Sequence, residues 1–287
     1  MNSNKFRQFL LLFLFSVLIS FPLINQQFHL VKDTINTENK APLPKPKLSE
    51  QKINLFPTLY DQYYASNFTV RQRLIKDYYE FNLGLYIKSP HPEQVFIGKN
   101  NWLFMGGDEN DSFTGSRPFS QKDLEQIKKE LEYRQKYLKE KGTKFYFVIA
   151  PVKASVYPEY IPEAVIKKSK YSWAQQVNEF LLKNSSVPVI DLHETLWSAK
   201  KGGNVYFKND NHWNYRAGLY STNTIVRRIQ KDCPQLKEIS IDDFNETVRT
   251  SNVNGNLILM LAQTERYVDS VYEYTPKNGF LAESLPK

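Results

Sequence analysis

The chain has 287 residues, with 38 Lys or Arg against 30 Asp or Glu for a formal net charge of +8, and 41% of it is hydrophobic. Its one cysteine, Cys233, excludes an intramolecular disulfide and a thiolate zinc site, and its four histidines (His29, His91, His193, His212) are scattered, so no metal and no cofactor are expected. The basic residues do not interleave with aromatics in any nucleic-acid motif, which argues against nucleic acid as a partner. The surplus suits anionic lipid, glycan or cell-wall polymer, and solvated lysines explain it equally well.

Residues 1–30 read as a membrane segment. Lys5 and Arg7 precede an uncharged apolar run over residues 9–24, which reaches spanning length when counted on to Phe28. No A-x-A-like cleavage site follows, so an uncleaved signal anchor is expected, with Lys5 and Arg7 cytoplasmic and the rest extracytoplasmic. A cleaved signal peptide is the alternative. Residues 31–52 form a polar tether in which Pro42, Pro44 and Pro46 favour an extended spacer. Residues 53–287 are then one domain.

Within that domain, residues 60–79 read as mostly helical, with Phe68, Leu74, Ile75 and Tyr78 as buried candidates. Residues 94–97 and 102–105 are short apolar strands around a Gly98-Lys99-Asn100-Asn101 turn, hence a hairpin. Ser120 caps a helix with Asp123 near the capping-box position, and Leu124, Ile127, Leu131 and Leu138 recur at helical spacing until Gly142. Residues 144–150 (KFYFVIA) read as a strand buried on both faces, and 187–192 (VPVIDL) as another, with a helix at 171–183 between them. Adjacent parallel pairing is expected from that order. Residues 205–207 suggest a third strand, and 214–230 a helix capped by Asn214. The expected fold is therefore α/β with a mainly parallel sheet covered by helices. The segment beyond 239 shows one short apolar stretch, 255–261, and then a polar tail.

Asn209-Asp210-Asn211-His212-Trp213 falls between a strand and a helix, where ligands bind in such sheets. Read as an extended segment, it points Asp210 and His212 to the same side, so that Asp210 accepts the ring Nδ1–H and Nε2 faces outward as a base. Trp213 is expected to pack against the sheet edge, an aromatic wall for a bound sugar being the alternative reading. Asp191 and His193 repeat the spacing where a strand ends and a helix begins, and read as a structural cap. Ser112 sits in an Asp-Ser-Phe tripeptide without the strand exit that a nucleophile elbow requires, and reads as surface loop; Ser270, after Asp269, lacks a preceding apolar strand.

Several blocks together resemble one family. They are residues 96–104 (FIGKNNWLF), Ala150-Pro151-Val152-Lys153 with 155–162 (SVYPEYIP), Phe207 to Asn214 with Ala217-Gly218, and Gly255-Asn256-Leu257 with Met260-Leu261. In this order they are similar to the AlgX/AlgJ-like SGNH-hydrolase-like proteins, which include polysaccharide O-acetyltransferases. The resemblance implies a three-layer α/β sandwich, often behind one N-terminal membrane helix. It matches His212 to the catalytic base and Asp210 to its orienting acid. It further implies an exported polysaccharide as substrate, a membrane-bound O-acyltransferase as acetyl donor, and a domain outside the cytoplasmic membrane. The family's nucleophilic serine follows the Asp-x-His-Trp motif in a Gly-Asp-Ser-Phe-like turn. No such turn follows Trp213 here, so a fragment or a form without its nucleophile is expected, as is a choice between acetyl transferase, carbohydrate esterase and an inactive glycan-binding or assembly protein.

Overall fold

A computed structural model of the chain describes residues 3–31, 43–48, 53–68, 70–86, 89–251, 255–263 and 267–279. Backbone proximity divides the chain into two compact units, residues 1–87 with 259–263 and residues 88–258 with 264–287.

The first unit is helical. Helix α1 (Ser3–Phe28) contains an apolar stretch, Asn4–Asn25, of 22 residues. At 1.5 Å per residue that is about 33 Å, enough to cross the hydrocarbon core of a bilayer. The Asn25 side chain closes its end, bonding both the carbonyl and the amide of Val31. The single helix expected over 60–79 is instead two, α2 (Phe56–Asn67) and α3 (Arg71–Tyr86). They are separated where Phe68 turns to ψ 115° and Val70 adopts a positive φ of 63°. The break also resets the helix face: Leu74 and Tyr78 are exposed, whereas Tyr79 and Leu83 are buried. Of the expected tether, residues 32–42 and 49–52 lie outside the described residues.

The second unit opens with the expected hairpin. Strands β1 (Val95–Ile97) and β2 (Leu103–Met105) pair antiparallel, with Phe96 opposite Phe104. Asn100 and Asn101 take positive φ in the turn, a conformation that asparagine tolerates better than most residues. Helix α4 (Gly107–Thr114) follows where loop was expected. Its eight residues are too polar to show a helical stripe, but Asp108 and Glu109 in its first turn favour the helix dipole and Gly115 ends it at φ 69°. Helix α5 (Gln121–Glu140) has the full capping box, Ser120 accepting from the Asp123 amide and Asp123 from Ser120. Gly142 at φ 72° lies just beyond its end.

Strand β3 (Phe147–Ile149) leads to α6 (Lys153–Val156); α7 (Trp173–Asn184) then leads to β4 (Val189–Asp191). Strands β3 and β4 pair in parallel, Val148 opposite Ile190. Leu124 and Leu131 of α5 and Val177 and Leu181 of α7 form one cluster against Phe147, Ile149 and Val189. β3 is half-buried along its length rather than buried on both faces, because the helices cover one face and β4 is its one paired neighbour among the described residues. Helices α8 (His193–Ala199) and α9 (Tyr215–Gln230) follow, α9 capped by Asn214 as expected. Residues 205–207 form no strand; Tyr206 makes a single antiparallel bridge to Trp213.

Beyond Ile239, where the sequence shows one short apolar stretch and a polar tail, lies the longest sheet element. Strands β5 (Phe244–Ser251) and β6 (Asp269–Pro276) pair antiparallel over eight residues each. The architecture is thus α/β, with one parallel and two antiparallel strand pairs among the described residues rather than a mainly parallel sheet.

Candidate active site

The bridge between Tyr206 and Trp213 is reinforced by Phe207 N donating to His212 O and Asn214 N to Val205 O, closing a loop over residues 207–212. Inside it the chain turns, so strand alternation is not what unites Asp210 and His212. Asp210 Oδ1 accepts the His212 backbone amide at 2.9 Å and the ring Nδ1 at 2.7 Å. This is an Asx turn, in which a short carboxylate captures the amide two residues on. Asp210 Oδ2 accepts the Asn256 amide at 2.8 Å, at the start of α10 (Asn256–Met260). Burial pushes the Asp210 carboxyl up, but the amides of His212 and Asn256 and the His212 ring outweigh it and hold the group below the ordinary carboxylate range. The His212 side chain is 63% exposed, and its ring makes no hydrogen bond to any hydroxyl among the described residues.

The loop is fastened from four sides. Ile258 N donates to Asn209 O, and Gly255 is packed so tightly that a Cβ there would lie 2.6 Å from the same oxygen. Asp269, at the start of β6 and 2% exposed, accepts the amides of Lys208, Asn209 and its own neighbour Ser270. Burial raises its carboxyl and these amides only partly offset that. Lys153, at the start of α6 just past β3, is 1% exposed and donates to Leu103 O at 2.5 Å and to Lys208 O and Asp210 O at 3.0 Å each. Its ammonium also lies 5.0 Å from the ring centres of Trp102 and Phe104. Burial drives it down to about 7, against the opposing pull of Asp269, Asp210 and Glu109. Glu109 of α4 accepts the Asn211 side-chain amide at 2.7 Å, and burial raises its carboxyl.

Lys153, Asp269 and Glu109 join this loop without a local sequence pattern that names them. Lys153 lay within a block carrying the family resemblance, the one signal pointing to it. Trp213 is half-buried and packs on the aromatic core built from Trp102, Phe104, Tyr157 and Tyr206. It also borders a groove of about 540 Å³ with Phe207, Tyr215, Leu219, Phe244 and Tyr274. The second Asp-x-His is structural in its bonding: Asp191 accepts the His193 amide, and His193 Nε2 donates to Ser155 O at 3.1 Å. Ser112, expected in a surface loop, is buried in α4, and the preceding Asp111 pairs with Arg117. Ser270 lies on β6, opposite Thr250.

The family described as "SGNH hydrolase-like domain, acetyltransferase AlgX" matches residues 95–278. Among solved structures, Bacillus cereus PatB1 with a sulfonyl adduct is 23% identical, with 64% of this chain and 56% of that one covered and a TM-score of 0.45. The O-acetyltransferase domain of Pseudomonas putida AlgJ is 19% identical over 64% of this chain and 66% of its own, at a TM-score of 0.44. A DHHW family protein from Eubacterium siraeum is 17% identical over 64% and 54%, at a TM-score of 0.40. The chain therefore spans between 54% and 66% of the length of these structures. No curated protein matches it.

Proposed function

Because the chain belongs to the SGNH hydrolase-like, acetyltransferase AlgX family, we propose that it takes part in O-acetylation of an exported cell-surface polysaccharide, with His212 as general base and Asp210 as its orienting acid. The observation that carries the reading is the Asp210–His212 bond of 2.7 Å beneath an exposed ring. The carboxylate acceptor puts the proton on Nδ1 and leaves the Nε2 lone pair facing solvent.

In the proposed reaction a serine hydroxyl gives its proton to Nε2 as its oxygen attacks an acetyl carbonyl. The leaving group of the donor takes that proton, and an acetyl-serine remains. A sugar hydroxyl then loses its proton to Nε2 as its oxygen attacks the acetyl carbonyl, and the departing serine oxygen takes that proton back from Nε2. Asp210 stabilises the imidazolium in both steps. The proposal assigns the serine to no residue of this chain. Trp213 and the groove beside it are offered as a wall for the sugar ring. The donor partner is proposed to be a membrane-bound O-acyltransferase, and α1 to anchor the chain in the cytoplasmic membrane with the second unit outside.

The test is made in the producing cell. His212→Ala is introduced into the gene, and alkali-labile acetate is measured on the purified surface polysaccharide. A fall to background is the expected result. A rise in acetate would assign the site to an esterase, in which water replaces the sugar hydroxyl. Unchanged acetate would overturn the reading.

A further inference from the structure

Three backbone carbonyls, those of Leu103, Lys208 and Asp210, converge on one point inside the second unit, and the Lys153 ammonium occupies it. A protonated lysine offers three donors and no acceptor; a side-chain amide offers two, and a guanidinium is a rigid planar fork. The convergence therefore suits an ammonium specifically. The amides on the other side of the same turn, Lys208 and Asn209, converge on the Asp269 carboxylate, a group that only accepts. Positive charge thus takes up the carbonyl side of the turn and negative charge the amide side. The charged groups facing Lys153 are Asp269 from β6, Asp210 and Lys208 from the loop, and Glu109 from α4. An ammonium with so little exposure is costly to bury, and stability is a weak reason for retaining it.

We propose that Lys153 and Asp269 are positioning residues which together lock the Lys208–Asp210 turn, and through it set the Asp210 carboxylate against the His212 ring. The inference rests on the reading of His212 as the base. It assigns Lys153 no contact with substrate. Its action is on the geometry of Asp210, whose main-chain carbonyl it holds.

The test uses the full chain in detergent micelles with ¹⁵N-labelled histidine. His212 Nδ1–H, held against Asp210 at 2.7 Å, is expected to give a downfield proton resonance at low temperature, assigned by its absence in His212→Ala. His193 Nε2–H, bonded to Ser155 of α6, is an internal control for α6 itself. In Lys153→Met the His212 signal is expected to disappear while the His193 signal stays. If both disappear, α6 has been lost and Asp269→Asn decides, since it keeps the shape and removes the charge. There the His212 signal is expected to broaden beyond detection, with His193 intact. In cells, both variants are expected to lower the initial rate of polysaccharide acetylation by about 100-fold, the effect of misplacing a catalytic group by about 1 Å. A His212 resonance that survives in Asp269→Asn, and in any folded Lys153→Met, would overturn the inference. Loss of acetylation in His212→Ala, measured separately, tells that failure apart from failure of the functional reading.

Discussion

Replacing Gly255 by alanine should damage the proposed site while leaving the identity of both Asp210 and His212 unchanged. The added Cβ would stand 2.6 Å from Asn209 O, 2.8 Å from Asp210 Cβ and 3.0 Å from Asn209 C. Two of the three are backbone atoms, which cannot swing away as a side-chain tip can. Ordinary contact begins at 3.4 Å, so the two segments must part by about 0.8 Å, a typical overpacking displacement costing about 1–3 kcal/mol. The same movement stretches the Asn256 amide to Asp210 Oδ2 bond from 2.8 Å to about 3.6 Å, beyond hydrogen-bonding range. Asp210 then loses one of the donors that hold it in register with His212. Urea unfolding of the full chain in micelles should show the stability loss, and polysaccharide acetate in cells should fall with it. A Gly255→Ala protein within about 0.5 kcal/mol of the parent, with normal acetylation, would refute the argument, because it would mean that the loop gives way freely.

Asp210→Asn should flatten part of the acid limb of stability. The depressed carboxyl of Asp210 contributes stability that is present above the ordinary carboxylate range and is lost as pH falls through its folded value. Asp269 and Glu109, both raised, act in the opposite sense, so thermal unfolding between pH 7 and pH 3 is best compared as parent minus variant. Arg216→Met should cost about 1–3 kcal/mol, because the half-exposed Glu246 and the Tyr274 hydroxyl lose the guanidinium that ties α9 to the β5–β6 ribbon; urea unfolding checks it, with Glu246→Gln expected to cost less. N-terminal sequencing of the mature protein should find α1 still attached. A chain beginning near Gln27 would instead mean a cleaved signal.

Elements that announce themselves locally were legible in the sequence. The Ser120 and Asn214 caps and the Asn-containing hairpin turn each depend on a few neighbouring residues, the β3–β4 pairing follows from the strand–helix–strand order, and each stands where expected. Helix α4 and strands β5 and β6 did not announce themselves. The first is short and polar, and the two strands are mostly half-exposed or solvent-facing, so charged and polar residues dilute their alternation. A period-2 reading of Val271, Tyr272, Glu273 and Tyr274 was available, but short exposed strands are set by their partner more than by their own pattern. The Asp210–His212 contact is legible because a single residue, Asn211, separates the two. Lys153 and Asp269 reach the same loop from 57 and 59 residues away from Asp210, and no local pattern reports such a meeting.

The two halves of the proposed base, Asp210 and His212, are built differently, and on that proposal the difference bears on how it would work. Asp210 is held by two backbone amides and the ring, and the turn carrying it is gripped by Lys153, Asp269 and the start of α10. The imidazole that it orients is left largely in water. Orientation is therefore set before anything binds, which removes reorganisation from the reacting step. Shielding is not set by the described residues, and an exposed charge on the ring is screened by solvent and gains little from the carboxylate behind it. If the proposed reaction runs here, whatever carries the acetyl group must cover the ring before Asp210 can exert its full effect. An activated soluble acetyl ester, too small to exclude water, should consequently be a far poorer donor than an acetyl group delivered on a protein surface. Comparable His212-dependent rates with both donors would contradict that view.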